Sequence, residues 1–187
     1  MHIVLIVGSI RQGRQSHHVA YYLAQELRQR KQQVAVVDLA LTPLPMMEER
    51  AGMLTPPLAV VQNLSHQLHQ ADAFVLVTPE YHGSFSGVLK NALDYFWAEF
   101  AQKPIGVAAA SAGKLGGINA STQLQHVILS LRAFTLPTKL LVSEVQTAFD
   151  ATHQPLREEV KQAAATFLDD YLWFAQALVQ AKPRVAA

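Results

Sequence analysis

Three stretches of this 187-residue chain concentrate residues able to do chemistry. The first is Val7-Gly8-Ser9-Ile10-Arg11-Gln12-Gly13-Arg14-Gln15-Ser16, between an apolar run and a helical pattern. Backbone N–H groups in a helix's first turn lack intrahelical partners and carry the positive end of its dipole, so such a turn can receive an anion. Ser9 and Ser16 add hydroxyl donors and Arg11 a planar cationic fork. The chemistry this spacing offers is phosphate binding.

The second stretch runs Thr78-Pro79-Glu80-Tyr81-His82-Gly83-Ser84-Phe85-Ser86-Gly87, and the third Ser111-Ala112-Gly113-Lys114-Leu115-Gly116-Gly117. Three glycines in seven residues permit positive φ and close approach of backbone to a flat ligand. Glu80 reads either as a general base or as an orienting carboxylate. His82 is either a proton donor that titrates near neutrality or a plain loop donor. Tyr81 either stacks on a planar ligand or packs. His66 and His69 have a metal-like spacing without a carboxylate partner, and a solvated helix face is the simpler account. Cysteine is absent, which excludes disulfides, iron–sulfur clusters and thiol nucleophiles, so redox work requires a cofactor.

The elements that must position these loops follow from periodicity. His2 to Val7 is a continuous β-branched run suited to a strand buried on both faces. Val19, Leu23 and Leu27 give Gln15 to Arg30 an amphipathic helical stripe, and Gln33 to Asp38 a second strand, together a βαβ unit. Leu58 to Leu68 predicts a helix, Ala73 to Val77 a strand, Val88 to Trp97 a helix, and Ile105 to Ala110 a strand. Leu124 to Leu131 predicts a helix, Lys139 to Val142 a fifth strand, and Val160 to Leu178 a long final helix. Lys182 to Ala187 are expected to fray. Leu39 to Pro57 is a long irregular connection with four prolines and three methionines: either a binding surface or a loop tacked down by its apolar residues.

This alternation predicts a single α/β domain over residues 1–187, a doubly wound five-stranded parallel sheet in order 2-1-3-4-5 with helices on both faces. The three loops follow strands one, three and four, so they converge at the carboxyl end of the sheet, where such folds bind ligands. A net charge of +1, with Lys and Arg dispersed, gives no footprint for nucleic acid. No apolar run approaches the roughly 18 residues of a membrane span, and with no secretory pattern the expected compartment is the cytoplasm.

Gly8 and Gly13 fit the start of a triphosphatase loop, but Arg14 and Gln15 stand where Lys and Ser or Thr are needed. A dinucleotide fingerprint requires a second glycine where Ile10 stands. A monophosphate held by Ser9, Arg11 and Ser16, with a planar ring between the other two loops, is the remaining reading. The chain resembles the NADPH-dependent FMN reductase family of flavodoxin-like proteins, through Gly8-Ser9-Ile10-Arg11 with Ser16, the segment from Pro79 to Asp94, and Ser111-Ala112-Gly113 through Gly117. His82 stands where Asn is usual and Ser86 where Pro is usual, as in azoreductase-type members.

The resemblance implies non-covalent FMN, its phosphate on Ser9, Arg11 and Ser16 with Gln15 and His17 nearby. Pro79, Glu80, Tyr81, His82 and Gly83 would line the ring, and Ser111, Gly113, Gly116 and Gly117 would close its other contacts. It implies NADPH or NADH as hydride donor, a flavin, quinone, azo compound or metal oxyanion as acceptor, no catalytic side chain, and a homodimer or homotetramer. Arg14 and Lys114 are candidate readers of a nicotinamide 2′-phosphate. The alternatives are a non-enzymatic electron carrier of flavodoxin type, which would be strongly acidic as this chain is not, and a magnesium-dependent nucleotide hydrolase.

Overall fold

The computed structural model describes residues 1–181. The fraying expected of Lys182 to Ala187 lies outside them. Six strands and five α-helices follow in the order β1 (His2–Val7), α1 (Ser16–Gln29), β2 (Gln33–Asp38), α2 (Ala59–Gln70), β3 (Ala73–Tyr81), β4 (Ser84–Phe85), α3 (Gly87–Tyr95), β5 (Pro104–Ala110), α4 (Ile118–Ser130), β6 (Phe134–Val142) and α5 (Glu158–Ala181), with a short 3₁₀ turn at Val145–Thr147.

The long strands form a parallel sheet in the order β2-β1-β3-β5-β6, and the two-residue β4 pairs antiparallel with the end of β3. Apart from the inserted hairpin strand, this is the expected order of a doubly wound sheet. Alternation along β1 explains its unbroken apolar run: Ile3, Leu5 and Val7 face a core made with α1 and α5, while Val4 and Ile6 face a second core under α2, α3 and α4. Every residue from Ile3 to Val7 is at most 2% exposed. The order reverses between β1 and β3, which places the loop after β1 beside the loop after β3 at the point where such sheets bind ligands.

Several boundaries differ from the periodicity reading: β3 runs on past Val77 to Tyr81, and α4 starts at Ile118 rather than Leu124. β6 starts at Phe134 rather than Lys139, because an edge strand tolerates Pro137, whose missing N–H would break a central ladder. Its pairing with β5 shifts register between Ile105 and Val107. The third helix stops at Tyr95; Phe96 then turns into the core at 1% exposure, while Trp97 lies 42% exposed under the Arg50 guanidinium, 4.4 Å from the ring centre. Trp173 is 73% exposed on α5.

The 39–57 connection is tacked down in part. Leu44, Met47, Ala51 and Leu54 pack on the second core, and Asn91 bonds Pro45 O and the Met47 N–H, each at 2.8 Å. Met46 and Met53 remain exposed. Lys90 pairs with Asp94 one helical turn on, at 2.6 Å.

Candidate active site

The loop after β1 is built by close approach and by one ion pair. A Cβ at Gly8 would lie 2.8 Å from Leu89 Cβ and 3.1 Å from Val77 O, so only glycine lets the loop settle against α3 and β3. The Gly8 N–H donates to Val77 O at 2.8 Å, and Gly13 turns the chain at φ +68°. Arg14 then folds back. Its guanidinium bonds both Asp38 oxygens, at 2.5 and 2.6 Å, and Ser9 O at 2.7 Å.

Asp38 ends β2, is 2% exposed, and also accepts from Tyr21 Oη at 2.9 Å and the Ala40 N–H at 3.0 Å. Burial pushes its carboxyl pKa up, but the Arg14, Ala40 and Tyr21 hydrogen bonds outweigh that and hold it below the ordinary carboxylate value. The Asp38 hydrogen bonds in turn raise the Arg14 pKa. Arg14 is therefore a brace for the loop and is spent on Asp38, which removes it as a reader of a nicotinamide 2′-phosphate. Lys114 is exposed.

What the loop leaves open is the N-terminal end of α1. The N-cap residue of α1, Gln15, makes no side-chain cap, and no acidic residue occupies the first turn. Ser16 Oγ is buried without a hydrogen-bond partner among the described residues. Ser9 is 1% exposed and its hydroxyl meets Tyr81 Oη at 3.3 Å. Arg11 is exposed, with no ion pair among the described residues.

The second loop is a tight hairpin. β3 runs on through Pro79, Glu80 and Tyr81, then His82 (φ +52°) and Gly83 (φ +74°) turn it back into β4. Two successive left-handed residues match the twist of a two-residue hairpin. Glu80 takes the orienting role: its carboxylate accepts the N–H groups of Asn119 and Ala120, both at 3.0 Å, so β3 caps the start of α4. Ser86 has the structural task. Its hydroxyl donates to Gly8 O, accepts the Leu89 N–H at 3.3 Å as N-cap of α3, and so locks the second loop to the first.

The third loop folds against the 3₁₀ turn, with Val145 N–H donating to Ser111 O at 3.1 Å and Glu144 N–H to Gly113 O at 3.2 Å. Gly116 and Gly117 are buried at φ +62° and +88°; a Cβ would sit 3.0 Å from Leu141 Cβ in one case and 2.8 Å from Ala109 Cβ in the other. Their demand is packing of α4's approach onto β5 and β6.

These parts enclose a cleft of about 320 Å³. Of the expected residues, Ser9, Arg11, Gln15, Ser16, Pro79, Glu80, Tyr81 and Ser111 line it. His82 and Gly83 stand at the hairpin tip, Gly113 in the exposed part of the third loop, and Gly116 and Gly117 beneath it, so the wall contains none of these five. Gly13, Arg14, Ala110, Ala112, Val145 and Gln146 complete the wall. Val145 and Gln146 have no local signal in the sequence; the β6 crossover brings them there. A larger cavity of about 680 Å³ lies between α2 and residues 95–99, lined in part by His66 and His69. Both histidines are on the solvated face of α2, and that cavity lies away from the loop ends, so its size does not make it the site.

His17, on the first turn of α1, is missing from the wall of the cleft and packs instead on His18 and His153. Burial, then the neighbouring His18, Arg14 and His153, hold its pKa down to about 4, against a smaller opposing pull from Asp38.

The parallel sheet in the order β2-β1-β3-β5-β6, with helices on both faces and a cleft at the switch point, defines a flavodoxin-like fold. The profile of the NADPH-dependent FMN reductase family matches residues 1–147, and the chain belongs to that family. Membership makes it an FMN- and nicotinamide-dependent oxidoreductase rather than an electron carrier or a nucleotide hydrolase.

Among curated relatives, an FMN-dependent NADPH-azoreductase of Staphylococcus saprophyticus is 32% identical over 179 residues, covering 91% of this chain and 93% of that protein. An NADPH azoreductase of Bacillus sp. (strain OY1-2) is 30% identical over 177 residues, covering 91% and 94%. Among solved structures, the flavoenzyme FerB, an NAD(P)H:(acceptor) oxidoreductase from Paracoccus denitrificans, superposes with a TM-score of 0.78 at 22% identity, over 94% of this chain and 97% of that one. No helix of the described residues is long and apolar enough to cross a membrane.

Proposed function

We propose that the 320 Å³ cleft holds FMN, with the phosphate against the first turn of α1 and the isoalloxazine ring between Pro79–Tyr81 and Ser111, and that a small azo compound or quinone is the electron acceptor. The observation that carries this reading is Ser16 Oγ: a buried hydroxyl without a partner costs stability unless a ligand completes it. The fit is one of chemistry. The open helix end, Ser9 and Arg11 all offer donors to a dianion.

When bound, FMN supplies the redox chemistry, taking a hydride from a reduced nicotinamide and passing electrons to the acceptor. The chain's own residues bind and orient. Arg14 and Asp38 fix the loop so that the donors are preset, and Tyr81, bonded to Ser9, joins the phosphate end of the cleft to its ring end. Glu80 holds the second loop to α4 and takes no proton in this scheme. An azo acceptor is favoured by the azoreductase relatives.

The reading extends to a homodimer or homotetramer, supported by the exposed Met46 and Met53 of the 39–57 connection and the exposed Trp97 after α3, and to work in the cytoplasm, where reduced nicotinamide is available. The test is the visible spectrum of the purified protein before and after anaerobic NADPH, followed by turnover with an azo dye and a quinone. A flavin spectrum that bleaches with NADPH, and turnover above a free-FMN control, are expected. A colourless protein that takes up no FMN refutes the cleft assignment; bleaching without turnover of either acceptor refutes the acceptor class.

A further inference from the structure

The first turn of α1 meets the segment before α5 through three histidines. His17 and His18 are adjacent in sequence and His153 comes from the 150–154 loop, with one ring nitrogen from each lying within 4.8 Å of the other two. Ring centroids are 4.1 Å apart for His17 and His18, 4.8 Å for His18 and His153, and 5.8 Å for His17 and His153. His18 Nδ1 and His153 Nδ1 share a hydrogen bond at 2.7 Å. His17 Nδ1 is buried and has no partner among the described residues.

We propose that His17, His18 and His153 form a binding site for one divalent transition-metal ion of the zinc, cobalt, nickel or copper type. Three imidazoles with no carboxylate among them suit ions of that softness and are a poor set for magnesium or calcium. Three nitrogen ligands also leave a fourth position for water, the arrangement of an open site.

The loop around His153 is built to present it. Asp150 Oδ1 accepts the Thr152 and Gln154 N–H groups and the Thr152 hydroxyl, at 2.8 to 2.9 Å, and His153 is held at φ +67°, a conformation a non-glycine residue adopts at a cost. Tyr21 stacks on His153 with ring centroids 4.9 Å apart, and Phe149 lies parallel to His18 at 6.2 Å, so two of the rings are flanked by apolar faces. Arg14, the nearby cation, is neutralised by Asp38.

With metal–nitrogen bonds of ~2.0 Å in a tetrahedral set, the ligand nitrogens stand ~3.3 Å apart, so the 2.7 Å pair opens by less than an ångström and nitrogens as far as 4.8 Å apart close by up to ~1.5 Å. The ring that donated in that pair moves its proton to Nε2, so that both Nδ1 atoms can face the ion. The bound ion would tie the 150–154 loop to the helix end that borders the cleft, making metal occupancy a brace on the anion-binding turn.

The test uses untagged full-length protein, stripped with chelator and titrated with Co²⁺ by absorption spectroscopy and with Zn²⁺ against a chromophoric chelator. One ion per chain is expected, with d–d bands of a low-coordinate site. His153→Asn, which suits the left-handed backbone, and His18→Gln are each expected to weaken binding by more than the 10- to 100-fold typical of outer-shell changes. His66→Gln is expected to leave it unchanged. Metal-free thermal unfolding and circular dichroism of both variants show that they fold, and either variant suffices if the other does not. Binding that is undetectable, or equal in the wild type and the folded variant, overturns the proposal and leaves a hydrogen-bonded histidine cluster.

Discussion

Replacing Ser16 by alanine should move two properties in opposite directions. In the ligand-free protein Ser16 Oγ is buried and unpaired, and an unsatisfied buried hydroxyl costs about 1–3 kcal/mol. Alanine keeps Cβ and leaves no large void. The ligand-free variant is therefore expected to gain ~1–2 kcal/mol, which for a chain of this length raises Tm by roughly 2–8 °C. A hydroxyl donating to a phosphate dianion contributes ~1.5–3 kcal/mol, so the same change should raise the Kd for FMN by about 10- to 100-fold. Differential scanning fluorimetry of flavin-free protein reads the first effect, and quenching of FMN fluorescence the second. A lowered Tm would mean that the hydroxyl is bonded within the protein. An unchanged Kd would mean that the phosphate binds elsewhere.

Arg14→Ala strands a buried carboxylate and is expected to cost ~3–5 kcal/mol in urea unfolding, as well as loosening the phosphate loop. The pH dependence has a definite sign. Asp38 titrates below its ordinary 3.8 in the folded protein, so its stabilisation is full above that value and is lost as pH falls through the folded-state pKa; without Arg14, acid unfolding should begin at a higher pH. Glu80→Ala removes the cap on α4 and should cost about 1 kcal/mol in chemical unfolding, and hydrogen exchange at Asn119 and Ala120 should quicken; turnover lost outright with stability unchanged would instead revive Glu80 as a general base.

Local chemistry made much of this protein legible. The β-branched run at His2 to Val7, the stripes of α1 and α5 and the glycine-bearing turns after strands one, three and four follow from side-chain period and backbone freedom, which depend on near neighbours. They specify a doubly wound sheet and place Ser9, Arg11 and Ser16 in the turn between β1 and α1, on the wall of the cleft. Hairpin strand β4 escaped that reading because two residues carry no period, and the first half of β6 because Pro137 argues against a strand that only an edge position admits.

Tertiary structure decided how the loops are held and what each charged group is for. Arg14 reads as a cation available to a ligand until Asp38, 24 residues on, is found to occupy it. Glu80 reads as base or anchor until α4, some 40 residues later, presents its first N–H groups. His17 and His18 are unremarkable neighbours until His153, 135 residues from His18, closes on them. Sequence alone determined which segments fold and which turn opens a helix with its first N–H groups uncapped. Only the crossovers of the folded sheet could determine which polar groups find partners there and which, like Ser16 Oγ, are left unpaired among the described residues.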